Sequence, residues 1–299
     1  MSGWRPEHAT QVLTAYDVLR ASPEDASPAD VLYRDWYAVR PPRTGPRPRW
    51  SAPVSGTARA ADAAATRWSA DDTEVVATGI AGVVVVATPG GRRALCRGEY
   101  VTTQGRPGFP PRVGDRVRAL DRPGSVIQEG WWRTWGGRWD PRAVPEDLVR
   151  VYLRPRPGAV GAVVRAVTAA LADDDEWLLK VATTADQLER PDACVVYLAG
   201  TCRDERRETV VAAVAGLTEG APPPLTERLA DGVGWAQDPG DGRSFGEVRC
   251  ETLVAAYRRV PDAGVGTGTW LDLVAEEMRR GGLDPSRPHV ADEDRGTRR

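Results

Sequence analysis

From Val149 to Leu153 apolar and polar side chains alternate. A period of two belongs to a strand with one buried face, so Val149, Val151 and Leu153 turn toward a core and Arg150, Tyr152 and Arg154 turn away from it. Residues 158–172 then read as an Ala/Val-rich helix ending in the acidic run Asp173-Asp174-Asp175. The short apolar segment around Leu178 and Leu179 predicts a half-buried strand through Lys180. A loop carrying Arg190-Pro191-Asp192 follows, then a strand from Ala193 to Tyr197. Strand, helix, strand, loop, strand is a compact α+β or α/β unit.

The flanking pattern is more broken. Val12, Leu13, Tyr16 and Leu19 recur at helical spacing, so residues 10–21 predict an amphipathic helix. Ser27-Pro28 opens a second short helix before the aromatic cluster Tyr33, Trp36 and Tyr37, whose rings pack that helix onto the domain. Residues 41–53 are proline-rich and extended, a linker or wrapping arm. Strand-like segments with Gly and Pro turns run from Thr73 to Ile127 and predict a small antiparallel sheet or half-barrel. Residues 130–139 hold four tryptophans in a loop-like segment. Two readings stand for it: a loop in which Trp132 and Trp135 grip a peptide, or a plug at the junction of two subdomains. Further on, residues 206–218 predict a surface helix, 222–228 a rigid and then helical segment, and 232–239 a loop. Ser244 caps a helix through Tyr257, with Glu247 at capping-box spacing. That helix start, flanked by Arg243 and Arg249, is a natural anion site. Residues 270–279 form a last helix, and 286–299 a frayed tail.

Composition sharpens this picture at one position. Lys and Arg together number 40 against 42 acidic residues, yet Lys180 is the sole lysine. A chain that has turned its surface cations into arginine, through a GC-rich coding bias, has kept one lysine in an apolar segment. Arginine stays charged at any physiological pH, whereas a buried lysine can lose its proton and act as a base. The net charge of −2 argues against phosphate-backbone binding by nucleic-acid contacts. No apolar run is long enough to span a membrane and no signal peptide opens the chain, so a cytoplasmic address is expected, with Cys96, Cys194, Cys202 and Cys250 as reduced thiols. His8 and His289 lie close to the chain ends, so neither a His-based catalytic arrangement nor a His/Cys metal site is expected inside the fold. No phosphate-binding glycine loop precedes the lysine, and nucleotide chemistry is disfavoured.

The segments LYRDWY, VRVYLR, GAVGAVVRAVTAAL, LLKV, ERPDACVVYL, PPLTERLADGVGWAQDP and RSFGEVRC run collinearly from about Leu32 to Cys250. Together they resemble the HopA-type effector family of type III secretion, which is similar to the phosphothreonine lyases of enteric pathogens. HopA-like proteins also accompany a phosphotransferase-like kinase in actinobacterial clusters for thioamitides and class V lanthipeptides. The resemblance implies β-elimination of phosphate from phosphoserine or phosphothreonine of a precursor peptide with a leader, giving dehydroalanine or dehydrobutyrine without metal or other cofactor. It also implies roles. Lys180 stands at the base lysine, Tyr152 at the acid histidine, and Arg150 at a phosphate-binding lysine. Arg190, Arg249 and Arg243 stand at phosphate-binding arginines. The missing acid histidine is the departure from the pattern.

The expectation is therefore an α+β fold with a phosphothreonine-lyase-like core in one domain, residues 1–285. Within it, N-terminal helices and a small β part occupy 1–145, the catalytic core 146–260 and a C-terminal helix 261–285. A non-catalytic phosphopeptide or protein binder of the same fold is the first rival, and a metal-free phosphatase or transferase the second.

Overall fold

A computed structural model describes residues 3–40, 54, 57–58, 69, 71–88, 91–120, 125–137, 139, 145 and 147–291. The proline-rich stretch 41–53 lies outside them. The organising element is an antiparallel sheet of seven strands. In spatial order these are β11 (Glu227–Ala230), β12 (Val233–Gln237), β8 (Leu148–Leu153), β10 (Cys194–Ala199), β9 (Trp177–Ala182), β7 (Trp131–Trp135) and β6 (Ser125–Gln128). Mixed helices and antiparallel strands make the fold α+β.

Period-two alternation decides which side chain goes to which face. Val149, Val151 and Leu153, with Leu179, Val181, Cys194, Val196 and Trp132, form a core with α3 (Val160–Ala170) and α5 (Arg203–Ala213). The opposite face, with Tyr152, Val195 and Ala236, packs on a helical layer. That layer holds α1 (Pro6–Arg20), α2 (Pro28–Leu32), a π-helical turn Tyr33–Tyr37, α6 (Phe245–Tyr257) and α7 (Thr267–Arg280). Between α3 and β10 lie β9 and the short α4 (Ala185–Leu188). Ser27 and Ser244 cap their helices as expected; at Ser244 the reciprocal bonds with Glu247 complete a capping box. The helical layer comes close to α6. A Cβ added at Gly246 would stand 2.3 Å from the Tyr37 ring, so only glycine lets the turn sit there.

A second, five-stranded sheet is ordered β3 (Gly91–Leu95), β2 (Val84–Thr88), β1 (Thr73–Thr78), β5 (Arg116–Ala119) and β4 (Tyr100–Gln104). Its small core is Val75, Val84, Val86, Leu95 and Val117. The antiparallel part is thus present, but it stops near residue 119. Strands β6 and β7 belong to the large sheet, so that sheet starts about twenty residues before the expected boundary at 145/146.

Three other expectations change. The tryptophan-rich segment is a strand, because β7 pairs with β9 from Trp131↔Ala182 to Trp135↔Leu178. Residues 227–237, read as helix and loop, form the hairpin β11–β12, whose second strand pairs with β8. Both segments extend an existing sheet, and pairing there outweighs weak local propensity. The tail begins later than expected. Val290 is buried, Leu283 bridges to Ala291, and Gln237 N–H donates to the His289 carbonyl, so residues 286–291 are part of the fold. No helix among the described residues is long and apolar enough to cross a membrane.

Candidate active site

One row across the sheet builds the site. Cα registers align Gly234, Tyr152, Val195, Lys180 and Arg133 on successive strands β12, β8, β10, β9 and β7. The next row on the same face aligns Ala236, Arg150, Tyr197, Leu178 and Trp135. Over β8 this face is roofed by the helical layer. Toward β9 and β7 it is open, leaving a cavity of about 520 Å³ lined by Lys180, Arg133, Arg150, Arg190, Trp131 and Tyr33, among others.

Lys180 is partly buried with its Nζ 4.1 Å from the centre of the Trp131 ring. Among the described residues it makes no hydrogen bond or ion pair. Burial is the largest influence on its charge, followed by the guanidinium groups of Arg133 and Arg150; Asp192 opposes them and Arg190 assists. Together they bring the amine down to about 8. A cation over an indole face gains about 1 kcal/mol, too little to offset desolvation and three like charges. Near neutral pH the site therefore holds a population of free amine.

Two of the arginines already have carboxylates. Arg150, 7% exposed, pairs with the buried Asp238 and donates to the Arg243 carbonyl at 3.0 Å. Arg190 makes a two-pronged contact with Asp192 at 2.8 and 2.6 Å and donates at 3.3 Å to the Tyr33 hydroxyl, which in turn donates to Asp192. Each guanidinium still borders the cavity and carries a planar fork suited to phosphate. Arg190 also lies 5.7 Å from the Trp131 ring, which thus serves two cations.

Other expected residues stand elsewhere. Tyr152 shares the row of Lys180 but is 3% exposed beneath the helical layer, its ring centre 6.3 Å from that of Phe245. Burial pushes its phenol up to about 12, and it does not border the cavity, so it cannot touch a leaving group in this arrangement. Arg249 is 3% exposed and spends Nε and Nη2 on the Pro288 carbonyl, at 2.9 and 2.6 Å. Desolvation lowers it to about 10, and it ties down the C-terminal segment rather than reaching the cavity. Arg243 is exposed, bound to Asp241 and Glu251, and borders a neighbouring depression of about 410 Å³. Trp132 is fully buried on the opposite face, so it cannot grip a peptide; Trp135 shares the face of Lys180 without bordering the cavity.

Arg133, Trp131, Tyr33, Tyr197 and Asp192 were not singled out as site residues. The pattern WWRTW held the signal. Read with a period of two, it puts Trp131, Arg133 and Trp135 on one face and Trp132 and Thr134 on the other. The two histidines, near the chain ends in sequence, are both 3% exposed within the fold, and neither lines the cavity; His289 lies 3.5 Å from Glu227. Among the described residues no cluster of His, Cys, Asp or Glu suits a metal ion.

No curated protein matches the chain in sequence. Two solved structures share its fold. One is the effector protein from Pseudomonas syringae pv. tomato strain DC3000, with TM-score 0.53 and 13% identity, covering 96% of this chain and 100% of that one. The other is the effector protein from Pseudomonas syringae pv. syringae strain 61, with TM-score 0.50 and 12% identity, covering 95% and 96%. At this identity the likeness speaks for the fold alone. In sequence, the model of the HopA1 effector protein family matches residues 125–290, more than half of the chain and the whole of the large sheet. The chain belongs to the HopA1 effector protein family.

Proposed function

We propose that this protein is a phosphoserine/phosphothreonine lyase acting on a phosphorylated precursor peptide, with the phosphate installed by a partner kinase. The observation that carries this reading is the lone lysine amine, without a carboxylate partner, in a cavity bordered by three guanidinium groups. Free Lys180 takes the Cα proton of the phosphorylated residue. The C–H electron pair becomes the Cα=Cβ bond, and the Cβ–O pair departs with the phosphate, leaving dehydroalanine or dehydrobutyrine. The guanidinium forks neutralise the leaving group as its charge grows. Phosphate is a good leaving group, so this electrostatic help takes the place of the missing histidine. The chemistry asks for no metal, nucleotide or attacking water.

The rival reading is a phosphopeptide binder without turnover. Its support is that Tyr152, the residue at the acid position, is walled off beneath Phe245. Incubation with a phosphothreonine peptide, followed by mass spectrometry, separates the two. Loss of phosphoric acid with a dehydro residue supports elimination, and an unaltered peptide that co-elutes with the protein supports binding alone. Recovery of threonine would mean hydrolysis and would refute both.

A further inference from the structure

We propose that Arg133 on β7 is the residue that receives the substrate's phosphoryl group, in preference to the arginines that already hold carboxylates. The proposal rests on the lyase or phosphopeptide-binding reading of the cavity and assigns its anchor.

The cavity's charges are unequal in availability. Arg150 is matched by Asp238 inside the fold, and Arg190 by Asp192, whose side chains are only 2% and 8% exposed. A buried guanidinium–carboxylate pair is close to neutral from outside, and a phosphate that drew the arginine away would leave a buried carboxylate alone. Arg133 is different. Among the described residues its one carboxylate contact is Glu129, at 3.6 Å, with a side chain 75% exposed and therefore well screened by water. Its Nη1 donates to the neutral Gln128 side chain at 3.1 Å. Its Nε is buried with no hydrogen-bond partner among the described residues, while the residue itself lines the cavity. An unpaired buried donor costs free energy that an anion would recover once the guanidinium turns toward it.

Position supports the same assignment. Arg133 is the Cα partner of Lys180 across β7 and β9, so both side chains rise from adjacent strands on one face. An elimination needs its leaving group one carbon away from the proton that the base removes. A phosphate held by Arg133 leaves the substrate's Cα toward Lys180, whereas Tyr152, two strands from Lys180 on the other side, lies under the helical layer. Arg133 is also the charged neighbour with the largest effect on the Lys180 amine, so anchor and base are electrically coupled. Phosphate binding at Arg133 would raise the proton affinity of Lys180, which strengthens it as a base and shrinks the share present as free amine at a given pH.

Lys180 being the sole lysine makes the test direct, because lysine-specific 13C or 15N labelling yields one side-chain signal. Lys180 would be titrated by NMR in the full chain, alone and with inorganic phosphate. Affinity for a capped phosphothreonine peptide would be measured alongside. In the unaltered protein, phosphate should move the Lys180 titration to higher pH. Arg133→Met should raise the Lys180 midpoint without phosphate, abolish the phosphate-induced move, and weaken phosphopeptide binding roughly tenfold to a hundredfold, the range for a lost charge-assisted contact. Arg133→Gln, which keeps a donor and loses both charge and fork, should behave like the methionine variant, leaves Lys180 the sole lysine, and serves if the methionine variant misfolds. Unchanged phosphopeptide affinity in either folded variant overturns the assignment, as does failure of the unaltered protein to respond to phosphate or peptide. These readouts do not require turnover. A protein that passes them and eliminates nothing would lose the lyase reading and keep its anchor.

Discussion

At the scale of the single residue, the proposed elimination depends on an amine that titrates near neutrality. Lys180 ionises at about 8 in the fold, against 10.5 for a free lysine, so its base form grows as pH rises through that value. The expected kcat/KM for elimination therefore climbs about tenfold per pH unit below 8 and levels off above it, once the substrate phosphate is doubly ionised. A profile flat between pH 6 and about 9 would remove Lys180 from the role of base. The same displacement has a stability consequence. The unfolded chain binds the lysine proton more tightly, so the folded state gains stability as pH rises from 8 toward 10.5. Lys180→Arg should retain the cation and lose elimination entirely, because a guanidinium does not give up its proton in this range. Mass spectrometry of the peptide product checks this, with intact phosphopeptide the expected result.

At the scale of the element, β7 is where local reading and folded structure parted. Four tryptophans and three glycines within ten residues looked like a loop, yet Trp131–Trp135 is bonded on both sides, to β6 and β9. Its two faces make opposite predictions. Trp132→Ala, on the core face, should cost about 3–5 kcal/mol of stability, seen as a large drop in denaturation midpoint. Trp131→Ala, on the cavity face, should leave the midpoint near that of the unaltered protein and weaken phosphopeptide binding as the cation–π platform is lost. Equal destabilisation by both would contradict the strand assignment. At α6, the close approach of Gly246 to Tyr37 predicts that Gly246→Ala costs about 1–3 kcal/mol by overpacking, although alanine is the better helix former. A thermal melt of that variant tests whether packing outweighs propensity there.

At the scale of the whole molecule, the two ends of the chain close the fold together. Residues 286–291 accept hydrogen bonds from Arg249 at Pro288 and from Gln237 at His289. Truncation after Pro285 would take the Pro288 carbonyl from the Arg249 guanidinium and strip cover from that part of the core, a loss of about 1–3 kcal/mol from the hydrogen bonds alone. Equilibrium unfolding of the truncated chain should show it; an unchanged midpoint would mean that the terminal segment is dispensable. His289 lies 3.5 Å from Glu227, and His8 on α1 is close enough to act on its charge. Burial is the main cause that lowers His289 to about 4, against 6.5 unfolded. The unfolded chain takes that proton first, so this part of the stability is complete above pH 6.5 and is lost as pH falls toward 4. His289→Gln should flatten the melting temperature across that window.

Much of this was legible from the sequence because it is local. Period-two alternation set the face of each β8 residue, the Ser244–Glu247 spacing marked a helix start, and the isolation of one lysine in an apolar strand marked a base candidate. These are features of a few adjacent residues, and they need no knowledge of neighbours. Which strands lie side by side is a different kind of information. Sheet order placed Arg133 rather than Tyr152 on the open side of Lys180, and layer packing turned Arg249 from a phosphate ligand into a clamp on Pro288. The charge available to a phosphate depends on which carboxylate each arginine has met; Asp192 meets Arg190 two residues along the same loop, whereas Asp238 reaches Arg150 only through a tertiary contact. Sequence determined the kinds of side chain and the alternation of faces. Tertiary structure decided their company, because burial and Coulomb interactions depend on distance in space and not on separation along the chain.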